Sequence, residues 1–290
     1  MQLTKFALIG MALIVLAISC GESSRPNKPV YASLAEAQAD MDPADKYVVI
    51  DFYTDWCTWC KRLDTLVFVD STVKDFFAND MMLVRLNAEE DTVTAQTFHV
   101  SGYPTLVMVD KDGNEVDRLV GYLDPEPFLQ TWRDYAQGIG TLDDLLSKAE
   151  TSGERNLYME IAEKYKYRGG SDDAHTWYEK VVAEAPEPDS MAGEARLALA
   201  DMIRRAKDYN AAIAEYDLIA KDFADFPAGD EAQIWAGITA RQAGDTTNAI
   251  KRFEKYVKDN PDADSNNLGY VKEQIEKLKN PPPPKEEPGK

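Results

Sequence analysis

The junction between a β-branched run, Tyr47-Val48-Val49-Ile50, and the stretch Asp51-Phe52-Tyr53-Thr54-Asp55-Trp56-Cys57-Thr58-Trp59-Cys60-Lys61 constrains this chain more than any other segment. The apolar run reads as a buried parallel strand. Beyond Cys60 the pattern turns helical, with Leu63, Leu66 and Val67 spaced three and four apart. Two cysteines therefore stand where a strand hands over to a helix. The first falls at the helix N-terminus, where free amides and the helix dipole favour an anion, so a thiolate is stabilised there. The second lies one turn on, on the same face, where a disulfide is geometrically easy. A Cys-x-x-Cys pair in this context reads as a redox centre.

The segment Asp51 to Lys61 resembles the active-site segment of the thioredoxin superfamily, and is most similar to the thioredoxin-like domains of bacterial periplasmic thiol–disulfide interchange proteins. The similarity continues through Leu83-Val84-Arg85-Leu86-Asn87 as the next strand and Val100-Ser101-Gly102-Tyr103-Pro104-Thr105 as the family's cis-proline loop. Leu106-Val107-Met108-Val109 follows as a strand, Lys111-Asp112-Gly113-Asn114 as a hairpin turn, and Leu119-Val120-Gly121-Tyr122 as the end of the last strand. The resemblance implies an α/β thioredoxin-like fold with Cys57 and Cys60 as the catalytic dithiol. It sets Asp51 where the family keeps a buried carboxylate behind the second cysteine. Burial raises a carboxyl pKa, so Asp51 would take the proton from Cys60; an acid closing a strand is the plainer alternative. Arg85 falls where the family places a basic residue near that carboxylate. The resemblance also implies a cis Pro104, with the Tyr103 backbone beside the cysteines to pair with a substrate strand. Trp59 is expected to meet substrate, and Trp56 to pack structurally. Thr58 and Trp59 depart from the Gly-Pro that thioredoxins carry between the cysteines. Those positions tune a reduction potential that spans about 150 mV across the superfamily, so the direction of electron flow stays open. The likeness to reductive members favours a reductase or isomerase.

At the start of the chain, Lys5 precedes an apolar run from Phe6 to Ile18, broken only by Gly10. That is short for a membrane span, which needs about 20 residues, and it fits an export signal. Leu16-Ala17-Ile18-Ser19-Cys20 resembles a bacterial lipobox, although Ala17 stands where leucine is usual. It implies lipidation at Cys20 and a membrane-anchored lipoprotein of the bacterial envelope facing the periplasm; a plain secretory signal and an uncleaved anchor are the alternatives. Lipidation also accounts for the odd cysteine, since the chain has 3 in all. With no spare pair for structural disulfides, the Cys-x-x-Cys is free for exchange. The net charge of -19 argues against nucleic acid and against electrostatic adhesion to anionic lipid.

The expected domains are a signal peptide over 1–19, a flexible spacer over 20–30, the thioredoxin-like domain over 31–138, an all-α helical-repeat domain over 139–280 and a Pro-rich disordered tail over 281–290. Ser33-Leu34-Ala35-Glu36 fits a capping box opening a short helix to about Met41. The last helix of the redox domain is expected from Pro125 to Ala136, with Phe128, Leu129 and Trp132 on its inner face. Amphipathic stretches follow at about 154–167, 171–185, 190–206, 209–223, 228–243, 246–259 and 266–279. Ala174, Ala212 and Ala249 recur at similar intervals, each followed four residues on by Tyr178, Tyr216 or Phe253. With Gly237, Gly244-Asp245 and Pro261, they resemble tetratricopeptide-like repeats, which imply a concave groove for a protein partner. No metal site is expected, because His99 and His175 lack companion ligands at suitable spacing, and no cofactor is needed. Asp70 and Glu89-Glu90-Asp91 read as solvated charge. The expected partners are disulfide-containing protein substrates, an upstream thiol electron donor, a protein on the repeats and, through lipid, the membrane. The competing reading is an envelope assembly or binding protein whose thioredoxin-like domain is a scaffold or redox sensor.

Overall fold

The computed structural model describes residues 28–43 and 45–281. The signal peptide, Cys20, most of the spacer and the tail beyond Pro281 lie outside the described residues. Five strands form one sheet: β1 (Val30–Tyr31), β2 (Tyr47–Tyr53), β3 (Met82–Asn87), β4 (Thr105–Asp110) and β5 (Glu115–Val120), in the spatial order β1-β3-β2-β4-β5. β3 runs parallel to β1 and β2, whereas β4 is antiparallel to β2 and β5. β2 is thus the central strand with both faces covered, which is why its sequence is almost continuously apolar.

Alternate residues of β2 serve two cores. Val49 packs with Phe76 and Phe77 of α3 (Ser71–Asn79) and with Phe128 and Trp132 of α5 (Pro125–Ala136). Val48, Ile50 and Phe52 face the other way, onto Ala37 of α1 (Leu34–Ala39) and Ala95 of α4 (Thr92–Thr97). The capping box forms: Ser33 Oγ accepts from the Glu36 amide, and Glu36 reaches back to the Ala32 amide. Asp70 and Asp91, read from the sequence as solvated charge, are instead N-caps. Asp70 Oδ1 accepts from the Thr72 amide at 2.8 Å and starts α3; Asp91 Oδ1 accepts from the Thr94 amide at 3.0 Å and starts α4. The segment read as spacer also ends earlier than expected. Val30 already belongs to β1, and the Lys28 amide donates to the Ala78 carbonyl at 3.1 Å.

From residue 142 onward the described chain is helical: α6 (Leu142–Ser152), α7 (Arg155–Tyr167), α8 (Ser171–Ala183), α9 (Ser190–Arg205), α10 (Tyr209–Asp222), α11 (Pro227–Gln242), α12 (Thr246–Asp259) and α13 (Ser265–Lys279). Seven of these lie where periodicity puts them. The stretches read from periodicity do not include α6, although Leu142, Leu145, Leu146 and Ala149 repeat three and four apart along it and pack into the helical core. Ala174, Ala212, Ala249 and their aromatic partners Tyr178, Tyr216 and Phe253 are all buried. A Cβ on Gly237 would stand 2.5 Å from the Phe253 ring, so the glycine is what admits the aromatic between α11 and α12. Among the described residues, no helix is long and apolar enough to cross a membrane.

A buried polar cluster fastens the helices to β5. Asp117 is fully buried. It accepts from the Leu142 amide at 2.7 Å and the Arg118 amide at 2.7 Å, and pairs with Lys164 at 2.8 Å and Arg168 at 3.2 Å. Arg168 also reaches Glu115, and Arg118 donates to the Tyr167 carbonyl. Removing one partner from such a cluster strands the others without water. Asp117→Ala is therefore expected to lower the unfolding free energy by roughly 3–5 kcal/mol, read by urea titration. A loss under about 1 kcal/mol would mean that the cluster does not hold the helices in place.

Candidate active site

β2 ends in a turn closed by the Cys57 amide donating to the Thr54 carbonyl at 3.2 Å, and α2 (Thr58–Arg62) starts from it. Cys57 is the N-cap residue, and its Sγ accepts from the Cys60 amide at 3.0 Å. The two cysteines form a disulfide with their Cα atoms 5.3 Å apart, and both are buried. An amide already aimed at Cys57 Sγ favours the thiolate once the bond is reduced.

α2 runs directly into a π-helical turn, Leu63–Val67, closed by the Phe68 amide on the Leu63 carbonyl at 2.9 Å. The wider turn re-phases the helix. Leu63 and Val67 enter the core as expected, but Leu66 is turned outward and exposed. The neighbouring Asp64 pairs with Arg85 Nη2 at 2.6 Å. Arg85 Nε donates to Asp51 Oδ2 at 2.8 Å, and its guanidinium lies 4.9 Å from the ring centroids of Tyr53 and Phe68. Asp51, on the same face of β2 as Val49, is 1% exposed. Its Oδ1 has no hydrogen-bond partner among the described residues. Burial, only partly offset by Arg85, pushes the Asp51 carboxyl up to about 6, and Asp64 adds to the rise. Arg85 thus ties the strand carrying Asp51 to the helical segment that follows Cys60.

Aromatic side chains flank the disulfide. Trp56, expected to pack structurally, is 64% exposed. It stands edge-on to Tyr103 at 5.8 Å, and its indole donates to Glu89. Trp59 is 53% exposed and lies 5.8 Å from Tyr122, with Arg62 over both rings. The Tyr103–Pro104 peptide is cis, and no main-chain partner takes the Tyr103 amide among the described residues. The structure therefore pairs Trp56 with Tyr103, and Trp59 with Tyr122. Asp64, Arg62 and Tyr122 are additions that the sequence did not single out. Asp64 lies four residues after Cys60, a spacing that puts it one turn on, but its reach to Arg85 depends on the π turn. Among the described residues, no group of acidic, histidine and cysteine side chains could hold a metal ion.

Residues 34–136 match the family described as a thioredoxin-like domain, and the all-helical region from Leu142 onward follows that match. Its relatives are thiol–disulfide proteins. The chain is 36% identical over 105 residues to the thiol:disulfide interchange protein DsbD of Yersinia pestis, a match covering 34% of this chain and 18% of that protein. It is 33% identical over 85 residues to the Haemophilus influenzae protein of the same name, covering 28% and 15%. The match thus spans less than a fifth of the length of these curated relatives. A putative disulphide-isomerase from Bacteroides thetaiotaomicron is 30% identical with a TM-score of 0.34, over 39% of this chain and 97% of that one.

Proposed function

We propose that the protein is an extracytoplasmic thiol–disulfide oxidoreductase working in the reductive or isomerising direction, anchored to the bacterial envelope by lipid on Cys20. The Cys57–Cys60 pair at the start of α2, with the buried and half-unpaired Asp51 on the sheet face beneath that helix, carries this reading. Cys57 thiolate attacks one sulfur of a substrate disulfide. That S–S bond breaks, a mixed disulfide forms, and the other substrate sulfur leaves and takes a proton. Cys60 then yields its proton to Asp51 and attacks Cys57 Sγ. The substrate departs as a dithiol, having gained the two electrons that the protein loses as its Cys57–Cys60 disulfide forms. An upstream dithiol protein restores the pair by the same exchange in reverse. Trp59, Tyr103 and Pro104 border the place where the substrate disulfide must approach, and the Tyr103 backbone is free to pair with a substrate strand. The helices from α7 onward are tetratricopeptide-like repeats that recruit a protein partner.

The reading is tested by equilibrating the chain without residues 1–20 in a glutathione series. A potential near thioredoxin's about -270 mV is expected. A value near about -120 mV would reverse the direction to oxidation, and a pair that does not cycle would refute the exchange role.

A further inference from the structure

The loop that carries Pro104 borders a groove of about 490 Å³ whose opposite wall is helical. Ser101 and Gly102 form one side; Tyr167 of α7 and Ala198, Met202 and Arg205 of α9 form much of the other. This volume lies within the ~300–1,000 Å³ usual for ligand sites. The two walls are held together close by: a Cβ on Gly169, in the α7–α8 turn, would come 2.9 Å from the His99 ring. The residue just before the loop therefore rests on the α7–α8 turn.

Two features of the groove describe its occupant. On the loop side, no main-chain partner takes the amides of Ser101, Gly102 or Tyr103 among the described residues. A Cβ built on Gly102 would meet nothing within 4 Å. Unpaired main-chain amides are what an added extended strand uses. On the helix side, Ala198, Met202 and Arg205 share one face of α9. Asp201 on the same helix holds both Arg204 and Arg205, so two guanidinium groups share one carboxylate. Arg205 is 68% exposed, and its pair with Asp201 is a surface contact that exchanges at little cost. A positive charge is thus left over beside a small apolar wall, in a chain whose net charge is -19.

We infer that this groove takes an extended polypeptide segment next to the reactive cysteine of a substrate, pairing by its main chain with Ser101–Tyr103 and placing an acidic side chain on Arg205. The inference rests on the exchange reading of Cys57–Cys60 for the identity of the occupant. It makes the helical region a reader of the sequence beside the target disulfide.

The test uses the full chain and two short fluorescent peptides in which serine replaces the cysteine, one with glutamates and one with lysines in the flanking segment. Anisotropy titration is expected to show the glutamate peptide binding about fivefold more tightly, with the preference abolished or inverted in Arg205→Glu. Gly102→Val is expected to weaken both peptides alike by closing the loop side. Equal binding of the two peptides, or an unchanged preference in Arg205→Glu, would overturn the groove. Exchange of the reduced wild-type chain with bis(2-hydroxyethyl) disulfide is followed in parallel. A chain that shows the peptide preference but no exchange would keep the groove as a peptide site and overturn the redox reading instead.

Discussion

Cys60→Ala is expected to let Cys57 attack a substrate disulfide but never release it, so covalent complexes accumulate and turnover falls by about 10³-fold or more. Cys60 follows Cys57 by one turn, and its own amide donates to Cys57 Sγ at 3.0 Å, which suits the resolving role proposed for it. Non-reducing electrophoresis of the reduced variant mixed with an oxidised polypeptide reads the adduct directly, and dithiothreitol should release it. Cys57→Ala should give no adduct at all. If the Cys60 variant forms none while the wild type turns over, the order of attack is not the one proposed here.

Asp51→Asn is expected to stabilise the oxidised protein and to slow resolution at the same time. The Asp51 carboxyl stands at about 6 in the fold against an ordinary 3.8, because burial outweighs Arg85. The folded chain then binds this proton more tightly than the unfolded one, so wild-type stability declines as pH rises from about 4 to about 6 and stays lower above that. Roughly two units at 1.36 kcal/mol each correspond to about 3 kcal/mol. Asparagine carries no charge to bury. The variant should therefore exceed the wild type by about 2–3 kcal/mol at pH 7 and match it near pH 4, as measured by urea titration of the oxidised form at both values. The kinetic side runs the other way. Wild-type resolution should slow as pH falls below about 6, where Asp51 is protonated and cannot take the Cys60 proton. The variant should lack that inflection and resolve about 10–100-fold more slowly at pH 7. A variant of wild-type stability at pH 7, with an unchanged pH profile, would remove Asp51 from the chemistry.

The parts of this molecule legible from sequence are those fixed by local pattern. β2 announces itself because a strand covered on both faces is apolar along nearly its whole length, Asp51 being the exception. The later helices announce themselves because small residues and aromatics recur wherever two helices close on each other, as at Gly237 and Phe253. Capping by Asp70 and Asp91 was less legible, since an aspartate at an N-cap and one in solvent look alike until the amides it accepts from are known. The outward turn of Leu66 and the inward reach of Asp64 depend on a π turn, and an extra residue in a helix leaves no mark in composition. Trp56, expected to pack structurally, instead stands exposed with its indole N–H on Glu89. Asp117 was invisible for a different reason. Apart from the adjacent Arg118 amide, its partners lie 25 to 51 residues away, and only the docking of α6 and α7 on β5 unites them.

That cluster bears on what the protein can accept. A hydrophobic seam tolerates sliding, because one apolar contact replaces another at similar energy. A buried carboxylate held by two amides and two cations does not, since a small displacement breaks several charge-assisted bonds together. The start of α6 and the end of α7 are thereby held at a fixed place on β5. If the groove takes the substrate segment as inferred above, this rigidity makes the protein a gauge: a client would have to carry its disulfide at the right interval from the segment it offers to the helices, and chains with the correct chemistry at the wrong interval would be turned away.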